Sequence, residues 1–282
     1  MTPHPALIAA HVAVVTGGAS GIGFAAARAF AELGLKVVIA DHDGEALKAA
    51  GQVLATLAGH DNVLAQQVDV ARREEVAALQ EAVLARFGRV HVLMNNAGIQ
   101  RESSIFGSDP VWRDTLAINL GGVVNGTQLF GPGMVAHGEP AVIINTGSKQ
   151  GITTPPGNPA YNVAKAGVKV FTEALQHELR NTPGCRVSAH LLIPGFVFTP
   201  LTARGRIEKP DGAWTPEQTV DFMLERVAAG DFYILCPDGE TSRATDEKRM
   251  EWAMGDIIEN RPPLSRWHEG YGEAFKRFVA GA

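Results

Sequence analysis

The chain has 282 residues, 45 % of them hydrophobic and 20 % charged, a balance that excludes disordered and fibrous classes and is sufficient for a large buried core. Thirty acidic side chains against 25 basic ones give a formal charge of −5, and no basic run occurs, so no nucleic-acid partner is expected. Two cysteines, Cys185 and Cys236, cannot build a disulfide framework, and there is no leader-like start and no apolar run near ~18 residues; the expectation is a soluble, cytoplasmic protein with no membrane partner.

Apolar runs of strand length alternate with amphipathic stretches of helix length. Strands are expected at 11–17, 36–41, 63–69, 90–96, 141–147, 186–195 and 232–236, their near-continuous Val, Ile and Leu content suiting a parallel sheet buried on both faces. Helices are expected at 22–33, 44–57, 72–86, 111–136, 159–181 and 216–229. That alternation implies right-handed crossovers and a doubly wound, seven-stranded α/β sheet in a single domain, with a core over about 8–236. Two segments do not fit it: the turn-rich connection 196–215, and a C-terminal helical extension over 237–282.

After the first strand comes TGGASGIG, Thr16 to Gly23. In a doubly wound sheet the first strand-to-helix turn faces the ligand crevice, and glycines there let backbone N–H groups and a helix N-terminus reach a pyrophosphate. The glycines fall at Gly17, Gly21 and Gly23 rather than in the general GxGxxG spacing, so a tight glycine-rich packing turn remains open at this point. The second strand ends in Asp41, followed by His42, with no arginine beside them. A carboxylate there can accept from ribose hydroxyls and repels a 2′-phosphate, which favours NAD over NADP; a turn or helix-capping role is the alternative.

Farther on, Ser148 precedes Tyr161 by thirteen residues, and Lys165 follows four later in YNVAK. Asn158 and Pro159 read as N-cap and first residue of a helix, which puts Tyr161 in its first turn and Lys165 on the same face. Val168, Phe171, Leu175 and Leu179 continue at helical spacing as the stripe that anchors it. A Tyr–Lys pair at this spacing is commonplace, and alone it would be structural.

Together these motifs resemble the short-chain dehydrogenase/reductase family over roughly 10–236. TGGASGIG is similar to its TGxxxGxG cofactor loop, NNAG at 95–98 to its fourth-strand motif, YNVAK to its YxxxK, and PGFVFT at 194–199 to its turn beside the nicotinamide. The resemblance implies a Rossmann fold, a nicotinamide cofactor, a homodimer or homotetramer, and Asn119, Ser148, Tyr161 and Lys165 as the catalytic set. For the cofactor it implies Gly17, Ser20, Gly21, Ile22, Gly23, Asp41 and His42. It adds Asp69 and Val70 near the adenine, Asn96, Ala97 and Gly98 along the ribose, and Pro194, Gly195, Val197 and Thr199 around the nicotinamide, with Tyr161 and Lys165 shared.

The expected chemistry is NAD-dependent hydride transfer between a secondary alcohol and its ketone, with Tyr161 as general acid and base. A free phenol has a pKa of about 10, and acting as a base near neutrality needs it lowered by roughly 2–3 units. Lys165, the positive nicotinamide and the helix N-terminus all push in that direction. Ser148 would hydrogen-bond the reacting oxygen. By the resemblance, Lys165 also binds the nicotinamide ribose and Asn119 holds a water.

Gln150, Asn158, Phe196 and Trp214, with Arg101, are candidates for the substrate side of the pocket. The aromatic content hints at a bulky or aromatic substrate. In the tail, Trp267, Tyr271, Phe275 and Phe278 read as an aromatic stripe on one helix, and Met250, Met254 and Ile257 as another; each packs against the core or a partner, or covers the substrate. The nine histidines show no ligand spacing, so no metal site is expected. A sugar-nucleotide epimerase or dehydratase and a non-catalytic dinucleotide sensor are the competing functions.

Overall fold

Runs of β-branched and aliphatic residues pair where the sequence places them. A computed structural model describes residues 3–203, 205–239 and 241–281. The strands are β1 (Val12–Thr16), β2 (Lys36–Asp41), β3 (Val63–Gln67), β4 (Val92–Asn95), β5 (Ala141–Thr146), β6 (Val187–Ile193) and β7 (Tyr233–Leu235). All six pairings are parallel, in the order β3-β2-β1-β4-β5-β6-β7.

The helices, in chain order, are α1 (Gly21–Glu32), α2 (Gly44–Ala58), α3 (Arg73–Phe87), α4 (Asp109–Leu116), α5 (Gly122–Ala136), α6 (Gln150–Thr153), α7 (Pro159–Asn181), α8 (Pro200–Ala203), α9 (Pro216–Ala228), α10 (Arg243–Ile258) and α11 (Gly272–Ala280). Alternation along each strand sorts the core into two layers. Ala13 and Val15 face Phe30 of α1, Leu54 of α2 and Met223 of α9, whereas Val12 and Val14 face Leu79 of α3, Met134 of α5 and Leu179 of α7. None of the helices among the described residues is long and apolar enough to cross a membrane.

Two expectations, the helix at 111–136 and the striped tail, need correction, and the connection between β6 and α9 gains detail. The helix expected over 111–136 is interrupted: α4 gives way to a π-helical turn, Ala117–Gly121, before α5 begins. Composition carries no sign of it, because a π turn adds a residue without changing which side chains are apolar. The connection 196–215 holds α8 and a bridge between Val197 and Trp214. The tail is not one striped helix: Trp267 closes a 3₁₀ turn, Tyr271 closes a second, and only Phe275 and Phe278 share α11.

The tail has a small core of its own. Phe275 and Phe278 pack on Trp252 of α10 with ring centroids 5.4 and 5.3 Å away, and the Trp252 indole N–H donates to Ser265 Oγ at 2.7 Å. Arg261 stacks on the same indole at 4.1 Å and pairs with Asp256. Of the other expected stripe, Met250 packs against the core beside β6 and β7, while Met254 and Ile257 are exposed.

A buried polar chain crosses from β4 to α7. Asn95 donates to Thr127 Oγ1 at 3.1 Å and to Asn145 Oδ1 at 2.9 Å, and Asn145 donates to Thr172 Oγ1 at 3.1 Å. Gly126 of α5 lies directly over it, where a Cβ would stand 2.1 Å from Asn95 Oδ1. Gly126→Ala is expected to lower unfolding free energy by about 2 kcal/mol, with an unchanged slope in urea titrations.

Candidate active site

The strand order reverses beside β1, whose neighbours are β2 and β4, and the glycine loop leaves β1 at its carboxyl end. That is where crossovers diverge and a crevice opens. Gly17 and Gly21 take left-handed conformations, with φ of 64° and 53°. A Cβ on Gly17 would stand 2.8 Å from Ala97 Cα, so the loop lies flat against the end of β4. Ser20 is the N-cap of α1 but makes no side-chain cap bond, so the first-turn N–H groups keep no partner within the helix. This cradle suits a phosphate in both shape and donors.

The crevice, of about 340 Å³, is walled by Gly17, Ser20, Gly21 and Ile22 from the loop, Asp41 and His42 from the end of β2, and Asp69 and Val70 after β3. Asn96, Ala97 and Gly98 follow β4, and Pro194, Gly195, Val197 and Thr199 follow β6. Ser148, Tyr161 and Lys165 close the other end. Gly23 stands behind the wall: a Cβ there would be 2.1 Å from Gly17 O, so its smallness lets α1 meet the loop.

Asp41 does not cap α2, a task taken by Asp43, whose side chain accepts from Glu45 and Ala46. Instead the Asp41 carboxylate accepts from the Ala19 N–H at 3.1 Å and the Asp43 N–H at 3.2 Å, with His42 Nδ1 3.2 Å away. It is therefore held at the crevice edge. Asn96 spans the strands, donating to Thr16 O and Gly17 O at 3.3 Å and accepting from Thr146 Oγ1 at 3.2 Å.

Asn158 caps α7 as expected, accepting from the Tyr161 N–H at 3.4 Å and from Ser103 Oγ at 2.7 Å. Val168 and Leu179 are buried, with Phe171 and Leu175 packed against the core, so the helix carrying Tyr161 and Lys165 is rigidly seated. Lys165 Nζ lies 5.7 Å from the Tyr161 ring centroid and donates to Thr146 O at 2.7 Å. Among the described residues no carboxylate is within ion-pairing distance of it.

Burial therefore decides the direction of both shifts. It pushes the Tyr161 phenol up to about 12, opposed only by a hydrogen bond from Ser148, and pushes the Lys165 ammonium down to about 8. The expected lowering of the phenol is reversed here. A neutral phenol and a partly deprotonated amine are what a dry pocket without a counter-ion favours.

Several candidates lie outside the crevice lining. Asn119 is fully buried in the π turn, where its side chain accepts from the Ile99 N–H at 2.7 Å and donates to Ile99 O at 2.8 Å, bracing the loop behind Gly98. Gln150, Asn158, Phe196 and Trp214 are not part of the crevice wall, although Arg101 is. Trp214 turns toward the core, edge-on to Phe222 at 5.8 Å. Among the wall residues that sequence reasoning missed, Ile99, Ile118, Leu201 and Thr202 carry no motif signal.

The histidines are less scattered than their spacing suggests. At the amino ends of the strands, away from the crevice, His11 stacks on His91 with centroids 3.7 Å apart, and Glu139 completes a group of metal-ligand type. The Val12 N–H donates to His91 Nδ1 at 3.1 Å, so Nε2 carries the ring hydrogen and donates it to Glu139 at 2.9 Å. A cation at Nε2 would have to displace that hydrogen. The trio reads as a hydrogen-bonded brace.

A family model described as short chain dehydrogenase matches residues 11–209. The Mycobacterium tuberculosis protein SadH, named as an oxidoreductase, is 39 % identical over 171 residues, which are 60 % of this chain and 60 % of that protein. The chain thus matches less than two thirds of that relative's length. A 3-oxoacyl-[acyl-carrier-protein] reductase of Chlamydia trachomatis is 34 % identical over 70 % of this chain and 77 % of its own length. A crystal structure of a short chain dehydrogenase/reductase from Burkholderia phymatum in complex with NAD has 32 % identity and a TM-score of 0.81, covering 91 % of this chain and 97 % of that one.

The buried ammonium gives a stability prediction. Below pH 8 folded and unfolded states both hold the Lys165 proton and the folded state bears the full penalty. Between about 8 and 10.5 the folded state sheds the proton first, so stability rises with pH through that window. The difference in unfolding free energy between wild type and Lys165→Met, measured without ligand, should move about 3 kcal/mol in favour of wild type from pH 7 to pH 10, at ~1.4 kcal/mol per pKa unit.

Proposed function

The chain belongs to the short chain dehydrogenase family, and we propose that it transfers hydride between a secondary alcohol or its ketone and a nicotinamide cofactor, with NAD preferred over NADP. One observation carries the reading: the Ser148 hydroxyl, the Tyr161 phenol and the Lys165 ammonium close one end of the crevice whose other walls are the glycine loop and Asp41. The NAD bound in the Burkholderia phymatum structure supports the same cofactor here.

Gly17, Ser20, Gly21 and Ile22 suit the pyrophosphate, because left-handed glycines and uncapped helix N–H groups are anion-seeking. Asp41 suits a free ribose diol; it would meet a 2′-phosphate with charge repulsion. Bound there, the nicotinamide ring supplies the hydride acceptor or donor. In the oxidative direction Tyr161 Oη accepts the proton of the substrate hydroxyl, and in the reductive direction it returns that proton to the carbonyl oxygen. Ser148 Oγ donates a hydrogen bond to the same oxygen as its charge changes. Lys165 stabilises the phenolate, on the same helix face one turn away. A phenol held near 12 is the acid form at neutral pH, ready for reduction; oxidation needs positive charge in the crevice to bring it down.

Asn119 fixes the loop at Ile99, with its Oδ1 beside the wall residue Gly98. Tyr161→Phe is expected to lower kcat at least 10²-fold in a spectrophotometric assay with a panel of secondary alcohols and ketones, while the dissociation constant for NADH stays within threefold. Near wild-type turnover would refute the proton-transfer role. In fluorescence titrations NADH should bind at least tenfold tighter than NADPH, and Asp41→Ser should narrow that ratio; a tighter NADPH complex would overturn the assignment of Asp41.

A further inference from the structure

The residue after Ser148 is a lysine whose side chain turns away from the crevice. Lys149 Nζ lies 3.1 Å from Asp238 Oδ2 and 2.5 Å from Asp246 Oδ2, and all three side chains are largely buried, with 15 %, 13 % and 7 % of their surface exposed. The three come from separate parts of the chain. Lys149 leads from the Ser148 loop into α6, Asp238 follows β7, and Asp246 sits in the first turn of α10, the first helix of the tail.

The same group touches the opposite wall of the crevice. The Lys149 N–H donates to Pro194 O at 3.3 Å. A Cβ on Gly195 would stand 2.3 Å from Asp238 Oδ2 and 3.0 Å from Lys149 Nζ, so the turn after β6 rests directly on the ion pair and a larger residue there would have to push it aside. Arg249 of α10 adds a second cation, 3.8 Å from Asp246 Oδ1, and donates to Thr241 Oγ1 at 3.2 Å. Arg266 also stands close enough to feel both Asp246 and Arg249, so Asp246 is a largely buried carboxylate shared among several cations, and its removal would leave them short of a partner.

We propose that Lys149 is a positioning residue: its buried bridge to Asp246 ties the C-terminal extension to the Ser148 loop and the Pro194–Gly195 turn, so that docking of the tail and occupancy of the crevice stabilise each other. The effect on turnover rests on the proposed oxidoreductase function, but the mechanical link does not. Coupling of this kind is reciprocal: whatever fixes the Ser148 loop and the turn after β6 also fixes α10. The tail reaches the crevice through charge at its first turn. Of its aromatic residues, Phe275 and Phe278 pack on Trp252 in the tail's own core.

Asp246→Asn is the direct test, because it lies on the tail, outside the proposed catalytic and cofactor residues, and leaves the Lys149–Asp238 pair intact. Hydrogen exchange on the full chain without nucleotide should quicken about tenfold in 147–154 and 194–199, roughly 1.4 kcal/mol of local opening. Added NAD⁺ should slow exchange in 243–258 of wild type but not of Asp246→Asn. With a competent substrate, kcat should fall roughly 5–10-fold and KM for NAD⁺ should change less than twofold. Lys149→Arg, which preserves the bridge, should keep wild-type exchange. Wild-type exchange in both segments of Asp246→Asn overturns the proposal, even if the chain turns over NAD⁺. Faster exchange there in a chain that binds neither NAD⁺ nor NADP⁺ supports the link and overturns the oxidoreductase reading alone.

Discussion

Lys165 keeps an ammonium group buried beside a phenol, with a backbone carbonyl as its hydrogen-bond partner and no carboxylate among the described residues to balance it. A cation in that setting costs the fold stability unless it sheds its proton, which is why burial draws it down to about 8. The rest of the architecture serves to hold this pair. α7 is capped at Asn158, nailed by Val168 and Leu179, and cross-linked to β4 and β5 through Thr172, Asn145 and Asn95. Tyr161 thus has little freedom to relax outward and solvate. In the proposed reaction, added positive charge in the crevice shifts the pair from a neutral phenol toward a phenolate.

The opposite wall is built by a different device. Small residues, rather than buried charge, bring backbone close: Gly17 against Ala97, Gly23 against Gly17, Gly21 against Thr199. These approaches lie at the head of α1, whose N-cap Ser20 makes no side-chain cap bond, and Asp41 is drawn to the loop by the Ala19 N–H. In the proposed reaction one end would take an anion and a diol and the other would move the proton, on two elements joined by one sheet.

What the sequence made legible follows from the range of the forces involved. All seven strands fall inside their expected stretches, and the α7 stripe packs as its 3.6-residue spacing requires, because alternation and periodicity are local. The crevice wall was legible where motifs lie at strand ends. Side-chain direction was not: Trp214 turns to the core, Asn119 points into the loop behind the wall, and the single helix expected for the tail breaks into two 3₁₀ turns and α11. Contacts across long separations were invisible, among them Lys149 with Asp246 and the His11, His91 and Glu139 brace. The reversed phenol shift had the same origin. Charge neighbours can be read from spacing, but the desolvation that outweighs them depends on the packed pocket.

The proposed proton transfer depends on the response of one phenol to charge in the crevice. With tyrosines labelled at the ζ carbon, the resonance that disappears in Tyr161→Phe can be followed through pH titrations of wild type. Without nucleotide it should show no ionisation below about pH 11, in keeping with a phenol held near 12. With saturating NAD⁺ its midpoint should fall by at least two units, on the order of 3 kcal/mol of preferential phenolate stabilisation. An identical midpoint with and without NAD⁺, in a chain shown to bind it, would contradict the account.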